Sequence, residues 1–128
     1  MVFLLSAVAV IFSLLVSFYP ESAFGRTPPP KTADLLGRGE KVYEQKCAPC
    51  HGFTGNGQTR AAIIMKPPPR DFTLPFKDWD VSQGDPVQIF KIISEGSPNT
   101  AMIKFKLPRE DIWALVYTVM EFSGDRKY

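Results

Sequence analysis

Cys47-Ala48-Pro49-Cys50-His51 gathers both cysteines of the chain and its only histidine into one Cys-x-x-Cys-His unit. This is the attachment signature for a c-type haem. Two thiols can add to the two vinyl groups of one porphyrin, and the adjacent imidazole can then reach the iron. Two intervening residues make about one helical turn, so both sulfurs meet the same macrocycle edge. Three other chemistries use such a pair, and each meets an obstacle here. Structural zinc takes four protein ligands, and no further cysteine or histidine remains to supply them. A thioredoxin-like redox pair needs a preceding strand and a βαβ frame, whereas the residues before Cys47 follow a helical pattern. A disulfide between residues three apart would close a small, strained loop.

A chain of 128 residues has room for one domain and little else. Residues 2 to 18 are almost wholly apolar, and Ala23-Phe24-Gly25 offers small residues at the positions a signal peptidase inspects. No Lys or Arg precedes the apolar run. Residues 1–25 are therefore either a cleaved signal peptide or a retained membrane anchor, since residues 2 to 18 lie at the short end of the roughly 17–25 that span a bilayer. Either reading exports the domain to the periplasm or an equivalent compartment. Cleavage before Arg26 leaves 103 of the 128 residues and removes one acid, Glu21, of the chain's 13, but none of its 15 basic residues. The remaining net charge is about +3, which two haem propionates would nearly cancel, and no nucleic-acid partner is expected. Lys46, Lys66, Lys104 and Lys106 make either an ordinary solvated face or a docking rim for an acidic redox partner.

Residues 26–33, with Pro28-Pro29-Pro30, form a stiff extended leader outside the core. A first helix is expected from Asp34 to Lys46, capped by Thr32 or Asp34, with Leu35, Gly39, Val42 and Tyr43 on one face. Gly52 to Gln58 is a glycine-rich turn able to pass close to the macrocycle. A short apolar turn from Ala61 to Met65 leads into Pro67-Pro68-Pro69-Arg70-Asp71-Phe72. Prolines donate no amide hydrogen, so their carbonyls are left to accept bonds from elsewhere. Pro67 or a neighbour is the expected acceptor for Nδ1–H of His51, because a metal-bound imidazole nearly always gives its second N–H to an acceptor. A second helix is marked by Asp85 as cap, Pro86 at the first helical position, the stripe Ile89, Phe90, Ile92, Ile93, and Gly96 at its end. The last helix begins at Pro108, carries Glu110 and Asp111 in its first turn and Ile112, Leu115, Val116, Val119 along one side, and is closed by Gly124. No stretch alternates as a strand would, so the fold class is all-α.

Between the last two helices lies Ser97 to Phe105, with Met102 at its centre. A thioether opposite a neutral imidazole completes a six-coordinate iron and raises its potential. Met102 follows His51 by 51 residues, enough to pass around the haem edge. Met65 is either a ligand or a wall of the pocket, Met120 belongs to a helical stripe, and an open sixth position is the remaining alternative. Arg70 and Trp79 are candidates to hydrogen-bond a haem propionate, because a buried carboxylate needs such partners. Arg70 could instead be a surface residue paired with Asp71.

Residues 36 to 123 resemble a single class I cytochrome c domain, a monohaem family of soluble carriers and of subunits of larger respiratory complexes. The resemblance rests on Cys47-x-x-Cys50-His51, Gly39 and Tyr43, the Gly52 to Gly57 loop, Pro67 to Phe72, the Met102 loop, and Trp113 with Tyr117. It implies three to four helices wrapped around one haem c attached through Cys47 and Cys50, with a cytochrome c domain over 34–124. It also implies close crossing of the first and last helices at Gly39, with Trp113 or Tyr117 packed over Gly39 or Tyr43. The family often has proline after the methionine ligand, where this chain has Ile103; Phe105 fits the pattern.

These readings lead to a protein that is not an enzyme. It would transfer one electron on a His51/Met102-ligated haem between exported redox proteins, as a carrier or as the cytochrome subunit of a larger membrane oxidoreductase complex. Anchoring through residues 2–18 fits the second form. The alternative is a ligand-binding or catalytic haem, a gas sensor or peroxidase-like site, with an open or labile sixth position.

Overall fold

The structure, a computed structural model, describes residues 27–125. The expected signal or anchor, residues 1–25, lies outside the described residues. Thr32 closes the leader by accepting the Leu35 N–H on its Oγ1 at 3.2 Å, which satisfies one orphan donor and starts α1 (Ala33–Lys46). The Cys47 N–H still bonds to Tyr43 O at 2.8 Å, and the chain then enters the single turn α2 (Ala48–His51), with Pro49 in its opening positions. Short 3₁₀ turns follow at Ala62–Ile64 and Phe76–Asp78. Asp85 starts α3 (Pro86–Glu95) by accepting the Val87 and Gln88 N–H groups, and Gly96, at φ +83°, ends it. Finally, α4 (Arg109–Glu121) takes Pro108 as its N-cap. No strand occurs among the described residues.

The main interhelical contact is α1 against α4. A Cβ added to Gly39 would lie 2.2 Å from Thr118 Oγ1 and 2.4 Å from the Ala114 carbonyl oxygen, so only a hydrogen fits where the helices cross. The atoms nearest an added Cβ at Gly39 belong to Ala114 and Thr118, each one position after the aromatic residues Trp113 and Tyr117. Trp113 meets Phe90 of α3 with ring centroids 4.6 Å apart, while Tyr43 packs against Phe122 at 5.0 Å. Arg38 ties the two helices at the surface through Glu110, at 3.1 Å, and Asp111.

Nine consecutive residues of α4, Ile112 to Met120, are buried. A helix apolar on one side only would leave part of this run in water; here α1, α3 and the leader cover it from several directions. Thr118, the polar member, donates its hydroxyl to Ala114 O at 2.9 Å. The leader lies outside the core cluster but makes contacts with α4. Tyr117 donates its hydroxyl to Pro29 O at 2.6 Å, and Lys31 pairs with Glu121, so residues 29–31 lie against α4.

Candidate functional site

The Cys-x-x-Cys-His turn is held from three sides. Tyr43, buried on α1, donates its hydroxyl to Gly52 O at 2.8 Å, just past the histidine. Thr59 donates to Cys50 O at 3.0 Å and accepts the Ala62 N–H at 3.1 Å. The Gly57 N–H returns to His51 O at 2.8 Å. The Cys50 and His51 carbonyls that accept two of these bonds are among those a one-turn helix leaves without an intrahelical partner.

His51 Nδ1 lies 3.0 Å from the carbonyl oxygen of Arg70. A carbonyl can only accept, so Nδ1 carries the proton and Nε2 presents its lone pair. The acceptor is thus Arg70, three residues beyond Pro67, and the expectation for Pro67 is corrected: Pro67 is exposed, and the chain turns inward only near Pro69 and Arg70. Gly57 permits that turn. Its φ is +69°, and a Cβ there would sit 2.9 Å from Pro69 O. The close approach of this loop is therefore to the proline segment, while Gly55 lies against the Phe122 ring. The Phe72 N–H donates to Gly55 O at 2.7 Å, and the Phe72 ring stacks on the His51 ring at 4.4 Å and 17°.

Both candidate propionate donors are engaged within the protein. Trp79 is 2% exposed and donates Nε1–H to Leu74 O at 3.0 Å. Its ring instead supports Phe72, 5.4 Å away, and the edge of Phe76 at 5.1 Å. Arg70 forms an ion pair with Asp80, and its Nη1 lies 3.4 Å from Asp78 O. Asp71, its alternative partner by sequence, instead accepts the Thr73 N–H and hydroxyl.

Met102 is half-buried in a loop folded back on the end of α3. Its carbonyl accepts the Ser97 N–H at 3.1 Å, its N–H donates to Thr100 Oγ1 at 3.1 Å, and the Phe105 N–H bonds to Ile93 O at 3.0 Å. These bonds shape the loop with Ile103 in the position where proline is frequent. The structure thus gathers Cys47, Cys50, His51 and Arg70 into one cluster that Trp79 joins through Phe72. Pro67 lies at its outside, and Met102 sits on a separate loop. Met65 is half-buried beyond its 3₁₀ turn, and Met120 is buried in α4.

Burial lowers the pKa of His51 from its ordinary value and so favours the neutral ligand form, and the Arg70 hydrogen bond only partly opposes this. Burial also pushes the Cys47 thiol up to about 12, with Cys50 adding to the effect. Neither cysteine is in a disulfide. The donor set fits a haem: two free thiols, one imidazole with its outer nitrogen unprotonated, and a thioether on a second loop. Among the described residues no group of three or more His, Cys, Asp or Glu could chelate a bare metal ion. Ile63 and Ile64, 78% and 82% exposed, lie downstream of His51, and Ile103, 65% exposed, follows Met102. Such apolar surface suits a macrocycle or a partner more than water.

Fold and site together define a c-type cytochrome domain. The chain belongs to the family described as cytochrome c oxidase, cbb3-type, subunit III, whose model matches residues 34–117. It is 30% identical over 93 residues to a thiosulfate dehydrogenase of Thiomonas intermedia (strain K12), across 70% of this chain and 27% of that protein. It is also similar to a chain of the reducing HAO-like protein complex of Kuenenia stuttgartiensis, with a TM-score of 0.63 and 28% identity, covering 80% of this chain and 47% of that one. The chain thus spans about a quarter of the first relative and about half of the second.

Proposed function

We propose that the protein moves single electrons on one haem c held by thioethers to Cys47 and Cys50, with His51 and Met102 as the axial ligands. The observation that carries this reading is the His51 Nδ1–Arg70 O hydrogen bond, which leaves Nε2 as the ligand atom and fixes the ring's orientation. The haem, when bound, supplies a reversible one-electron couple. The chain's part is to hold that couple still. Tyr43 and Thr59 brace the attachment turn, Phe72 supports the imidazole ring, and the hydrogen-bonded loop from Ser97 to Phe105 carries the thioether. Ligands on both faces, with the single histidine used as one of them, would leave the iron no open position for a substrate, which supports transfer over catalysis by this chain.

Similarity to parts of larger redox proteins supports a place beside an oxidoreductase partner, fixed or transient. An exported position follows from the N-terminal apolar segment and from covalent haem attachment, with residues 2–18 as either signal or anchor.

The test is spectroscopic. Purified protein should hold one covalently bound haem per chain in an alkaline pyridine spectrum. Its ferric form should show the weak far-red band of thioether ligation, and its ferrous form should not bind carbon monoxide rapidly. Met102→Ala should abolish the band and admit carbon monoxide. Rapid binding by the native protein without that band would refute transfer through a six-coordinate haem and point to a sensor or catalytic site.

A further inference from the structure

The residue that provides the acceptor for His51 also carries a full positive charge on its side chain. Arg70 reaches His51 with its carbonyl, and its guanidinium pairs with Asp80. We infer that Asp80 is a positioning residue for the electron-transfer site: by pairing with Arg70 it neutralises the guanidinium of the residue whose carbonyl holds the proximal ligand, and so holds the reduction potential down. The inference rests on the haem reading proposed above.

Three observations support it. The main chain around Arg70 is anchored apart from the ion pair, by the Phe72 N–H to Gly55 O bond and by the approach of Pro69 to Gly57. Loss of Asp80 therefore frees a charge without removing the support under His51. Asp80 and the Asp78 carbonyl are the partners of the guanidinium among the described residues, and the Asp71 carboxylate is turned to Thr73. Asp80 lies beyond Asp71 and Asp78 in sequence, so its pairing with Arg70 is made by the fold and not by adjacency in the chain.

The sign follows from Coulomb's law. The oxidised haem carries one more positive charge than the reduced one, so an unopposed cation nearby favours reduction. Arg70 and Asp80 side chains are 33% and 75% exposed, which screens the effect. One electron passes between protein and mediator, with no bond made or broken. In Asp80→Asn the equilibrium with a one-electron mediator should shift about three- to tenfold toward the reduced protein, where tenfold is about 59 mV. Arg70→Gln, which leaves Asp80 unopposed, should shift it the other way. The double variant should return to within about twofold of wild type.

The experiment is a spectroelectrochemical titration of the four holoproteins at low and high salt, with haem content measured on each. Opposite shifts in the single variants that cancel in the double and shrink at high salt support the inference. Haem-loaded Asp80→Asn with an unchanged potential overturns it. A raised potential that persists in the double variant also overturns it, since the cause would then be altered support of His51 and not charge. Should Asp80→Asn fail to accumulate, Arg70→Gln decides the matter, and a potential unchanged or raised refutes the idea. Wild-type protein with no covalent haem refutes the proposed function itself, a failure visible before any potential is measured.

Discussion

Replacing Gly39 by alanine tests the helix crossing on which the fold depends. A methyl group there would lie 2.2 Å from Thr118 Oγ1, 2.4 Å from Ala114 O and 2.7 Å from Ala114 C. Two of these atoms are backbone, so α1 and α4 must separate by about 1 Å to reach ordinary contact distances. Overpacking of this kind costs about 3 kcal/mol, the upper end of the usual range. Removing a helical glycine returns about 1 kcal/mol. The net loss of about 2 kcal/mol should lower the melting temperature by about 8–16 °C for a domain of this size. Gly37 provides the control, since it lies on the same helix with nothing within 4 Å of an added Cβ. Gly37→Ala should gain about 1 kcal/mol. Thermal melts of the holoproteins, followed by far-ultraviolet circular dichroism, separate the two. A Gly39→Ala protein that melts within a few degrees of wild type would show that the crossing has slack that this packing denies.

Tyr43 is buried and its pKa is raised chiefly by that burial, so the folded state keeps its proton where the unfolded chain loses it. Its contribution is complete below the unfolded value of about 10 and declines as pH rises above it. Tyr43→Phe should lose about 1 kcal/mol at neutral pH and show a flatter fall in melting temperature between about pH 9 and 11; an equally steep fall would count against the assignment. Tyr117→Phe should release the leader from α4, seen as faster proteolysis near Pro29 with a stability loss of about 1 kcal/mol, and unchanged cleavage would argue against docking. His51→Ala and Cys50→Ala should each yield little folded protein, because so small a domain needs the macrocycle in its core. A stable haem-free fold from either variant, by circular dichroism, would contradict this.

Local chemistry was legible wherever one side chain decides the outcome. Asp85, Pro86 and Gly96 delimit α3 because a carboxylate cap, a fixed φ and a left-handed terminus act within a few residues. Thr32 starts α1 for the same reason. Main-chain partners were not legible. Every residue has a carbonyl, so nothing in the composition of Pro67 to Phe72 singles out Arg70 as the acceptor for His51. Thr59 had a usable signal, a hydroxyl three residues before Ala62, the pattern of a cap. The fold supplies Leu74 O to Trp79 and Asp80 to Arg70, partners that lie five and ten residues away and that no local pattern marks.

The sequence by itself determined the all-helical class and the motif from which the attachment chemistry is proposed, because a five-residue motif and the capping of helices depend on neighbours in the chain. Only the tertiary structure decided which atoms meet across it. Gly39 faces Ala114 and Thr118, the leader lies on α4, the Arg70 carbonyl meets His51, and the Arg70 guanidinium pairs with Asp80. Those contacts are set by the rotation of one helix against another and by a loop folding back through Gly57, and such rotations are fixed by packing of the whole domain, not by any local run of residues.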